Sequence, residues 1–427
     1  MKRTSYINSW GAGLGLTAVF LLISAGGLAL TVENWWGFWP QIARSSTVTM
    51  SLWLYTVFGL IGAYLGATPR REGFADLLAG SARPSGQQWW PIARVGLLAV
   101  VLPGFAAAVV IALGSIAQTG TLDTRIISYL TAVAFTALAY LLGVLVGQRL
   151  TFIAAVLITP LTIIATQLLL IQFPEYSGIF ALSLVNTPST SYFLEPWLPA
   201  VLRLGMSLAL LVTAVAAIRA KRLLLNVALC VSIAWTGTLL INGAGRMVPD
   251  TYAMSPMCRS LSVDVCTDQA HSAGADVFFD AVSRLLDRTP TDLLTGARID
   301  TNPELTGDPN VLVVALTNDN STESQFVNES MVVRGYTESL VQFRCRNQES
   351  DIDQMLMFRG YVLFGADPNS RIDDHTPTLA EYQSLGGADI ATLNAVMALG
   401  EADYFRVLLR RQQSAELCRA PLGLLLQ

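Results

Sequence analysis

Long apolar runs separated by short polar segments dominate the first 246 residues. A membrane-spanning helix needs about 20 consecutive apolar residues. Runs of that length lie near 11–32, 47–67, 93–117, 125–147, 151–172, 198–218 and 223–243. The pattern predicts a polytopic α-helical membrane domain of about seven transmembrane helices. The first run is too long for a cleavable signal peptide and six more runs follow it, so we count it as a span.

Beyond residue 246 the apolar stretches become short and lie within polar sequence. Helical periodicity covers 270–286 and 390–417, whereas 311–316 is a compact apolar run typical of a buried strand. A segment of this length is enough for one globular domain. The sequence therefore predicts a transmembrane domain at 1–246, followed by an extracytoplasmic domain of α+β or α/β class at 247–427.

Charge divides the chain at the same place. Only 14% of the residues are charged and 52% are hydrophobic, whereas soluble proteins carry about 25% charged residues. Residues 1–246 hold 14 basic and 6 acidic side chains, but residues 247–427 hold 13 basic and 25 acidic ones. A first domain in lipid and a second domain in water account for this difference in charged residues between the two parts of the chain. The acidic balance of the second domain argues against nucleic acid as a partner.

Lysine and arginine in the short loops predict the orientation in the membrane, because cytoplasmic loops carry an excess of both. One set of helix ends carries ten basic residues: Lys2, Arg3, Arg70, Arg71, Arg83, Arg94, Arg149, Arg219, Lys221 and Arg222. The opposite ends carry four: Arg44, Arg125, Arg203 and Arg246. We therefore expect a multi-pass membrane protein with a cytoplasmic N-terminus and an extracytoplasmic C-terminal domain. The bacterial plasma membrane as its location is implied by the resemblance described below.

Three Gly-x-x-x-Gly pairs lie in or beside the predicted spans. They are Gly11 with Gly15, Gly62 with Gly66, and Gly143 with Gly147. Such pairs let helix backbones approach closely, within one chain or between two chains. The pattern favours packing within the chain and does not establish a dimer.

The sequence lacks the residues that several kinds of catalytic or binding site require. Neither lysine, Lys2 or Lys221, follows a glycine as a phosphate-binding loop requires. The two histidines, His271 and His375, are far apart in the sequence, and the adjacency of Asp268 to His271 does not build a catalytic triad. We expect no catalytic, cofactor-binding or metal site and no enzyme activity in this chain. A process driven by ATP would need its ATPase on another chain.

The longest predicted cytoplasmic loop, residues 69–93, contains a short amphipathic helix followed by an Ala-Arg-Pro-Ser segment and a Trp-Trp pair. An amphipathic helix of this kind lies along a membrane interface. The segment resembles the first cytoplasmic loop of the permease subunits of type-2 ATP-binding-cassette exporters. The matching residues are Leu77, Leu78, Arg83, Pro84, Ser85 and Arg94.

The resemblance implies that the loop is a coupling helix, which docks on a separate cytoplasmic ATP-binding-cassette ATPase. The residues that would contact the ATPase are Arg70, Arg71, Glu72, Asp76 and Arg83. It also implies a second permease copy or a homologous permease as partner. The alternative is a basic loop that only determines topology.

The loop 173–197 on the predicted outer side is too apolar for a free loop and too short to span the bilayer. A re-entrant or interfacial helical hairpin satisfies its backbone, and the exporter family carries two short re-entrant helices at this place, which form its outer gate. Glu175, Asn186 and Glu195 are the polar residues that such a hairpin brings near a translocation path, although an interfacial cap fits equally well. We expect Glu195 and Arg203 to reach the interface.

Four of the five cysteines lie in the predicted extracytoplasmic domain, since only Cys230 lies in a predicted span. Oxidising compartments favour disulfides. Of the three possible pairings we favour Cys258 with Cys266 and Cys345 with Cys418. A zinc site is the rival, but no Cys-x-x-Cys spacing supports it.

The Val-Cys-Thr-Asp-Gln-Ala-His segment at 265–271, with the amphipathic helix after it, resembles the external domains of actinobacterial membrane proteins of the exporter-permease type. The predicted function is therefore the membrane-spanning subunit of an ATP-driven exporter, coupled to its ATPase through the loop 69–93. The alternative is a membrane-anchored receptor, scaffold or assembly factor that acts through its external domain. The bilayer and an envelope protein are further expected partners.

Overall fold

The computed structural model describes two compact units. The described residues are 14–24, 39–71, 85–172, 193–219, 221–242, 248–301, 305, 308, 310–314, 329–345, 351–369, 378–384, 390–414 and 416–426. The membrane unit comprises Met1–Val32 and Trp39–Pro249, and the C-terminal unit comprises Glu33–Phe38 and Asp250–Gln427. The division after Pro249 lies close to the boundary after residue 246 that hydropathy and charge predict.

The membrane unit is built from helices and one two-residue strand pair. Its elements are α1 (Leu14–Ser24), α2 (Trp39–Thr49), a π-helical turn (Met50–Leu54), α3 (Tyr55–Arg71), α4 (Ser85–Thr119), α5 (Thr124–Arg149), α6 (Phe152–Gln172), β1 (Phe193–Leu194), α7 (Trp197–Ile218), α8 (Arg222–Ile241) and β2 (Val248–Pro249). Strand β1 pairs antiparallel with β2.

Five helical segments among the described residues are long and apolar enough to cross a membrane. They are Trp89–Thr119, Thr124–Arg149, Phe152–Leu169, Trp197–Ile218 and Arg222–Ile241. They coincide with the last five apolar runs of the sequence. The first two runs coincide with the shorter apolar helices Leu14–Ser24 and Tyr55–Thr68. This set of helices is that of a membrane-embedded protein.

Helix α5 is the centre of the membrane unit. It packs against α2, α3, α4 and α7, and most of its side chains are buried. Small residues make this possible, since Ala132, Ala137 and Gly143 let neighbouring backbones approach. The outer helices α6 and α8 are much more exposed than α5, as helices that face lipid would be.

The tightest contact in the unit is the seam between α3 and α5. A Cβ atom on Gly62 would lie 2.1 Å from the carbonyl oxygen of Tyr140, and one on Gly143 would lie 2.1 Å from that of Gly59. Gly66 and Gly147 are equally crowded by backbone atoms of the opposite helix. Two of the Gly-x-x-x-Gly pairs therefore pack against each other within the chain.

The C-terminal unit combines a four-stranded sheet with helices. Its strands are β3 (Pro256–Ser260), β4 (Asp264–Asp268), β5 (Arg298–Asp300) and β6 (Val311–Val313). Its α-helices are α9 (Ala275–Arg288), α10 (Glu329–Gln342), α11 (Asp351–Phe364), α12 (Leu379–Ser384), α13 (Ile390–Met397), α14 (Glu401–Arg411) and α15 (Leu422–Leu426). Short 3-10 helices cover Gln269–Gly274, Thr291–Leu294 and Leu417–Arg419.

The sheet has the order β3-β4-β5-β6. Strand β3 is antiparallel to β4, whereas β4, β5 and β6 are parallel. Helix α9 connects β4 to β5, as a parallel pair requires, and buries Phe278 against a core that also contains Ile299 and Leu312. The C-terminal unit is thus a small α/β region, one of the two classes expected from the sequence.

Both favoured cysteine pairs lie at bonding distance. The sulfur atoms of Cys258 and Cys266 are 2.09 Å apart, and the two residues face each other across β3 and β4. The sulfur atoms of Cys345 and Cys418 are 2.14 Å apart. This second bond ties the end of α10 to the C-terminal segment, next to the buried guanidinium of Arg411, which pairs with Asp353.

Placing a methyl group in the α3–α5 seam should destabilise the membrane unit. Because the carbonyl of Gly59 leaves no space, Gly143→Ala should cost about 1–3 kcal/mol, the usual cost of overpacking, and should lower the thermal midpoint of the detergent-purified protein. Gly237→Ala is the matched control, since a Cβ there meets no atom within 4 Å. Equal midpoints for the two variants would contradict the packing.

Removing the Cys345–Cys418 bond should destabilise the C-terminal unit more than removing Cys258–Cys266. The Cys345–Cys418 bond closes a loop with a sequence separation of 73, whereas the Cys258–Cys266 bond closes one with a separation of 8. The loss of chain entropy in the unfolded state predicts a stabilisation of about 4 kcal/mol for the longer loop and about 2.5 kcal/mol for the shorter one. Limited proteolysis of full-length Cys345→Ala/Cys418→Ala and Cys258→Ala/Cys266→Ala in detergent compares the two. Faster cleavage of Cys258→Ala/Cys266→Ala than of Cys345→Ala/Cys418→Ala would contradict the predicted order of the two stabilisations.

Candidate functional site

Buried charged residues gather at one end of the membrane unit. The backbone N–H of Trp39 donates to Oε1 of Gln118 at 2.9 Å, so α2 begins beside the end of α4. A short link leads from α4 into α5, whose first turns contact the segment just before α7. The charged residues at this end are Arg44, Asp123, Arg125, Glu195 and Arg203, and all are largely buried.

The central interaction at this end is the ion pair between Glu195 and Arg203. The side chain of Glu195 is 3% exposed and that of Arg203 is 1% exposed. One terminal nitrogen of Arg203, Nη2, donates to Oε1 of Glu195. The hydroxyl of Ser128 on α5 donates to Oε2 at 3.3 Å. The pair therefore joins α5 to α7 inside the unit.

Local structure explains how these two side chains meet. Strand β1 ends at Leu194, and its pairing with β2 holds the backbone immediately before Glu195. Pro196 then caps α7, which begins at Trp197. Arg203 lies about two helical turns into α7, and its long side chain reaches back toward the start of the helix, the direction in which helical side chains point.

The guanidinium of Arg203 has more donors than the pair uses. Its Nε and Nη1 atoms have no hydrogen-bond partner among the described residues. Tyr55 on α3 lies in the surroundings of Arg203, and its hydroxyl has no hydrogen-bond partner among the described residues either. Unsatisfied buried donors are rare in native structures. The arrangement can therefore bind a group that carries acceptor oxygens.

The neighbouring pair has a structural role. Asp123 precedes α5 and accepts a hydrogen bond from the backbone N–H of Arg125 at 2.7 Å, which caps the helix. The guanidinium of Arg125 returns to the same carboxylate at 2.7 Å. A carboxylate at a helix N-terminus is stabilised by the helix dipole. This pair stabilises the N-terminal end of α5, which is the part of the helix that contains Ser128.

The structure describes few of the residues expected to contact an ATPase. Arg70 and Arg71 are the last residues of α3, while their side chains, together with Glu72, Asp76 and Arg83, lie outside the described residues. Among the outer-hairpin residues, Glu175 and Asn186 also lie outside them. Glu195 alone of these two sets has a described environment.

That environment differs from the expectation for Glu195 and Arg203. The sequence suggests that both side chains reach the interface, but the structure buries both and pairs them. Their partners Ser128 and Tyr55 were missed because each belongs to a different apolar run. The feature of the sequence that could have indicated this ion pair is the presence of two opposite charges eight residues apart at the start of one span.

The C-terminal unit contains a separate polar cluster at the carboxyl ends of β4 and β5. Asp268 accepts hydrogen bonds from the backbone N–H of His271 at 3.1 Å and from the hydroxyl of Thr301 at 3.1 Å, and lies 2.8 Å from Nδ1 of His271. Asp268 and His271 are both buried. The cluster caps the helix after β4 and links two parallel strands, which is a structural role.

The described part of the chain contains no group of three or more His, Cys, Asp or Glu side chains that could hold a metal ion. The Asp268–His271 cluster supplies only two such side chains. The candidate site is the charged pair of the membrane unit, because its buried guanidinium keeps donors that have no partner among the described residues.

Breaking the Glu195–Arg203 pair from one side should destabilise the membrane unit more than removing it entirely. Glu195→Leu leaves a buried guanidinium unpaired, which costs about 3–5 kcal/mol, whereas a matched apolar replacement of both partners is close to neutral. We expect Glu195→Leu and Arg203→Met to lower the thermal midpoint in detergent, and the double variant to regain most of the loss. Additive losses in the double variant would contradict the pairing.

Comparison with protein-family models, with curated proteins and with solved structures gives no match for this chain. Its function is therefore argued from the site and from the architecture of the two units.

Proposed function

We propose that this chain is the membrane-spanning subunit of an ATP-driven exporter, coupled to a separate cytoplasmic ATPase through the loop 69–93. The buried Glu195–Arg203 pair is the observation that carries the proposal. Charged side chains inside membrane domains are costly and mark substrate or ion pathways. Helices that only anchor an external domain do not require such a pair.

The proposed topology has seven spans, a cytoplasmic N-terminus and an extracytoplasmic C-terminal unit in a bacterial plasma membrane. Helix α2, the π-helical turn and α3 follow one another without a break over 39–71. At 1.5 Å per residue this run is about 50 Å long, more than the hydrocarbon thickness of about 30 Å. The two disulfides support an oxidising compartment for the C-terminal unit.

Helix α3 provides a physical link between the coupling loop and the charged site. It begins at Tyr55, which lies in the surroundings of Arg203, and ends at Arg71, where the loop starts. Its tight seam with α5 restricts bending, because backbone contacts leave little free space. When the two ATPases close on each other, they would thus move α3 as a rigid helix. This movement would change the surroundings of Arg203. A second permease copy or a homologous permease would complete the path.

The second candidate is a membrane-anchored receptor, scaffold or assembly factor that acts through the C-terminal unit. The observation that favours it is the core of that unit, which is extensive and held by two disulfides. In that case the C-terminal unit on an unrelated single span would restore function. The exporter proposal requires the native membrane unit.

Reversing the charges of the coupling loop should abolish ATPase binding. The protein is purified from native membranes in mild detergent, and proteins that remain bound are identified by mass spectrometry. The wild type should retain a stoichiometric soluble protein with a phosphate-binding loop. The triple variant Arg70→Glu/Arg71→Glu/Arg83→Glu should retain at least about tenfold less, a loss of about 1.4 kcal/mol of binding free energy or more.

The control reverses three basic charges that lie on the same predicted side but outside the loop: Lys2→Glu/Lys221→Glu/Arg222→Glu. It separates a general effect on topology from an effect on docking, because both variants change the charge on the predicted cytoplasmic side equally. If the loop variant copurifies with as much ATPase as the wild type, the assignment of the loop 69–93 as the coupling element is wrong. Retention of envelope proteins alone by the wild type would favour the receptor or scaffold.

A further inference from the structure

Three segments long enough to cross a membrane have an end at the same place in the membrane unit. Trp89–Thr119 in α4 begins there, Trp197–Ile218 in α7 ends there, and Arg222–Ile241 in α8 begins there after a short turn. The guanidinium carbon of Arg219, at the end of α7, lies 3.8 Å from the centroid of the Trp90 ring in α4. The ends of membrane spans lie at the level of the lipid headgroups, where tryptophan is enriched.

Four exposed basic residues gather around this contact. Arg219, Lys221 and Arg222 follow one another within four positions in the turn from α7 to α8. Arg94 lies four residues after Trp90 in α4, so it is on the same face of that helix, one turn further along. Helical side chains lean toward the N-terminus of their helix, so Arg94 leans toward Trp90. We call these four residues the basic cluster.

The described acidic residues of the membrane unit do not neutralise the basic cluster. They are Asp123 and Glu195, which precede α5 and α7. Both lie at the end of the unit opposite to the start of α4 and the end of α7, and each is paired with an arginine there. The four residues of the basic cluster form no ion pair with any residue that the structure describes. Their charge therefore attracts an anion to this end of the unit.

The indole of Trp90 holds the guanidinium of Arg219 and leaves its hydrogen-bond donors available. In a cation–π contact the ring itself attracts the charge, and it supplies no acceptor atom for the five N–H groups of the guanidinium. These N–H groups form a rigid planar fork that binds two oxygens of a phosphate at once. The contact thus prepares Arg219 for a phosphate group.

The position of Trp90 is fixed by the packing of α4 on α5. The hydroxyl of Tyr140 on α5 donates to the backbone carbonyl of Ile92 at 2.8 Å. One turn further along α4, Gly96 lies against the ring of the same tyrosine, where a Cβ atom would come within 2.1 Å of Cζ. Trp90 is therefore presented by a helix that is held firmly in place. Groups fixed before binding lose less conformational entropy when a ligand arrives.

We propose that the basic cluster and Trp90 bind the phosphate of an anionic phospholipid from the surrounding bilayer. Basic groups between membrane helices recognise anionic headgroups in this way. The binding requires neither an ATPase nor a second copy of the chain, so it is independent of the exporter proposal.

The surface next to the basic cluster favours a lipid over a soluble anion. Leu98 and Leu102 follow Arg94 along α4 at intervals of four residues, and they are 46% and 63% exposed. The helix face that begins with Trp90 and Arg94 thus continues as exposed apolar surface toward the middle of the span. A phospholipid contacts both parts of this face, with its phosphate on the basic cluster and an acyl chain along the leucines. A free phosphate contacts only the first part.

The experiment titrates the delipidated full chain in mild detergent and counts bound lipids by native mass spectrometry. Palmitoyl-oleoyl phosphatidylglycerol is compared with palmitoyl-oleoyl phosphatidylcholine, which has the same acyl chains and no net charge. The dissociation constant of phosphatidylglycerol should be at least about tenfold lower, because several basic residues act on its charge. Equal constants for the two lipids would overturn the proposal.

Single neutral variants locate the binding site. Arg219→Gln and Arg94→Gln should each weaken phosphatidylglycerol binding about fivefold, the effect of one basic residue next to an anionic headgroup. The matched control is Arg284→Gln, which removes an exposed arginine from the C-terminal unit and should leave the dissociation constant unchanged. An equal loss in the control would mean that only the net charge of the chain matters, and would overturn the proposal.

A second pair of variants tests the indole. Trp90→Leu removes the ring that holds Arg219 and should weaken phosphatidylglycerol binding about threefold, whereas Trp90→Phe keeps an aromatic ring and should weaken it less. Equal losses in the two variants would contradict the role of the ring. Thermal midpoints equal to that of the wild type show that each variant is folded. If Trp90→Leu does not fold, the exposed variants Arg219→Gln and Arg94→Gln decide.

A competition separates the lipid from a soluble anion. Ammonium phosphate at the concentration of the lipid should leave bound phosphatidylglycerol in place, because free phosphate lacks the acyl chains. Displacement of the lipid would overturn its assignment as the ligand. The assay contains no ATPase, so its outcome and that of the coupling-loop experiment are separate.

Discussion

The membrane unit depends on the contact between the backbones of α3 and α5. Gly59, Gly62, Gly66, Gly143 and Gly147 have no Cβ atom at the closest points of the seam, so that carbonyl oxygens of one helix lie against the other. At this distance dispersion and weak Cα–H···O contacts replace the hydrophobic effect, which is absent between helices in lipid. Because α5 is then surrounded on most sides, the remaining helices can pack around it.

Burial of charge in the unit follows from this packing. Helix α5 presents Ser128 to Glu195, and α3 presents Tyr55 to Arg203. A charged pair in so apolar a setting is tolerated only with good geometry and additional hydrogen bonds. The pair has an additional hydrogen bond from Ser128 but leaves Arg203 with spare donors. The same helices, α3 and α5, also form two walls of a cavity lined by Tyr55 and Thr159, whose hydroxyls have no hydrogen-bond partner among the described residues. Tyr55 thus belongs both to the surroundings of Arg203 and to the wall of the cavity.

The C-terminal unit is stabilised by different means. Its sheet buries Val265, Ile299 and Leu312 against α9, as a parallel sheet covered by helices does. The Asp268–His271 pair and the Cys345–Cys418 bond secure two places where the chain leaves regular structure. Three buried tyrosines, Tyr336, Tyr361 and Tyr404, have a pKa raised by desolvation. Their hydroxyls therefore stay protonated and neutral, as an interior of this kind requires.

Hydropathy determined the membrane character of the first part of the chain and the five long apolar helices, because these depend on local transfer energies that add along the sequence. The sequence also showed the glycine pairs and the cysteines. It did not decide that Gly62 faces Tyr140, that Glu195 and Arg203 are buried rather than interfacial, or that Tyr55 and Thr159 share a cavity. Those facts depend on which faces of helices distant in sequence meet, and only the tertiary packing decides that.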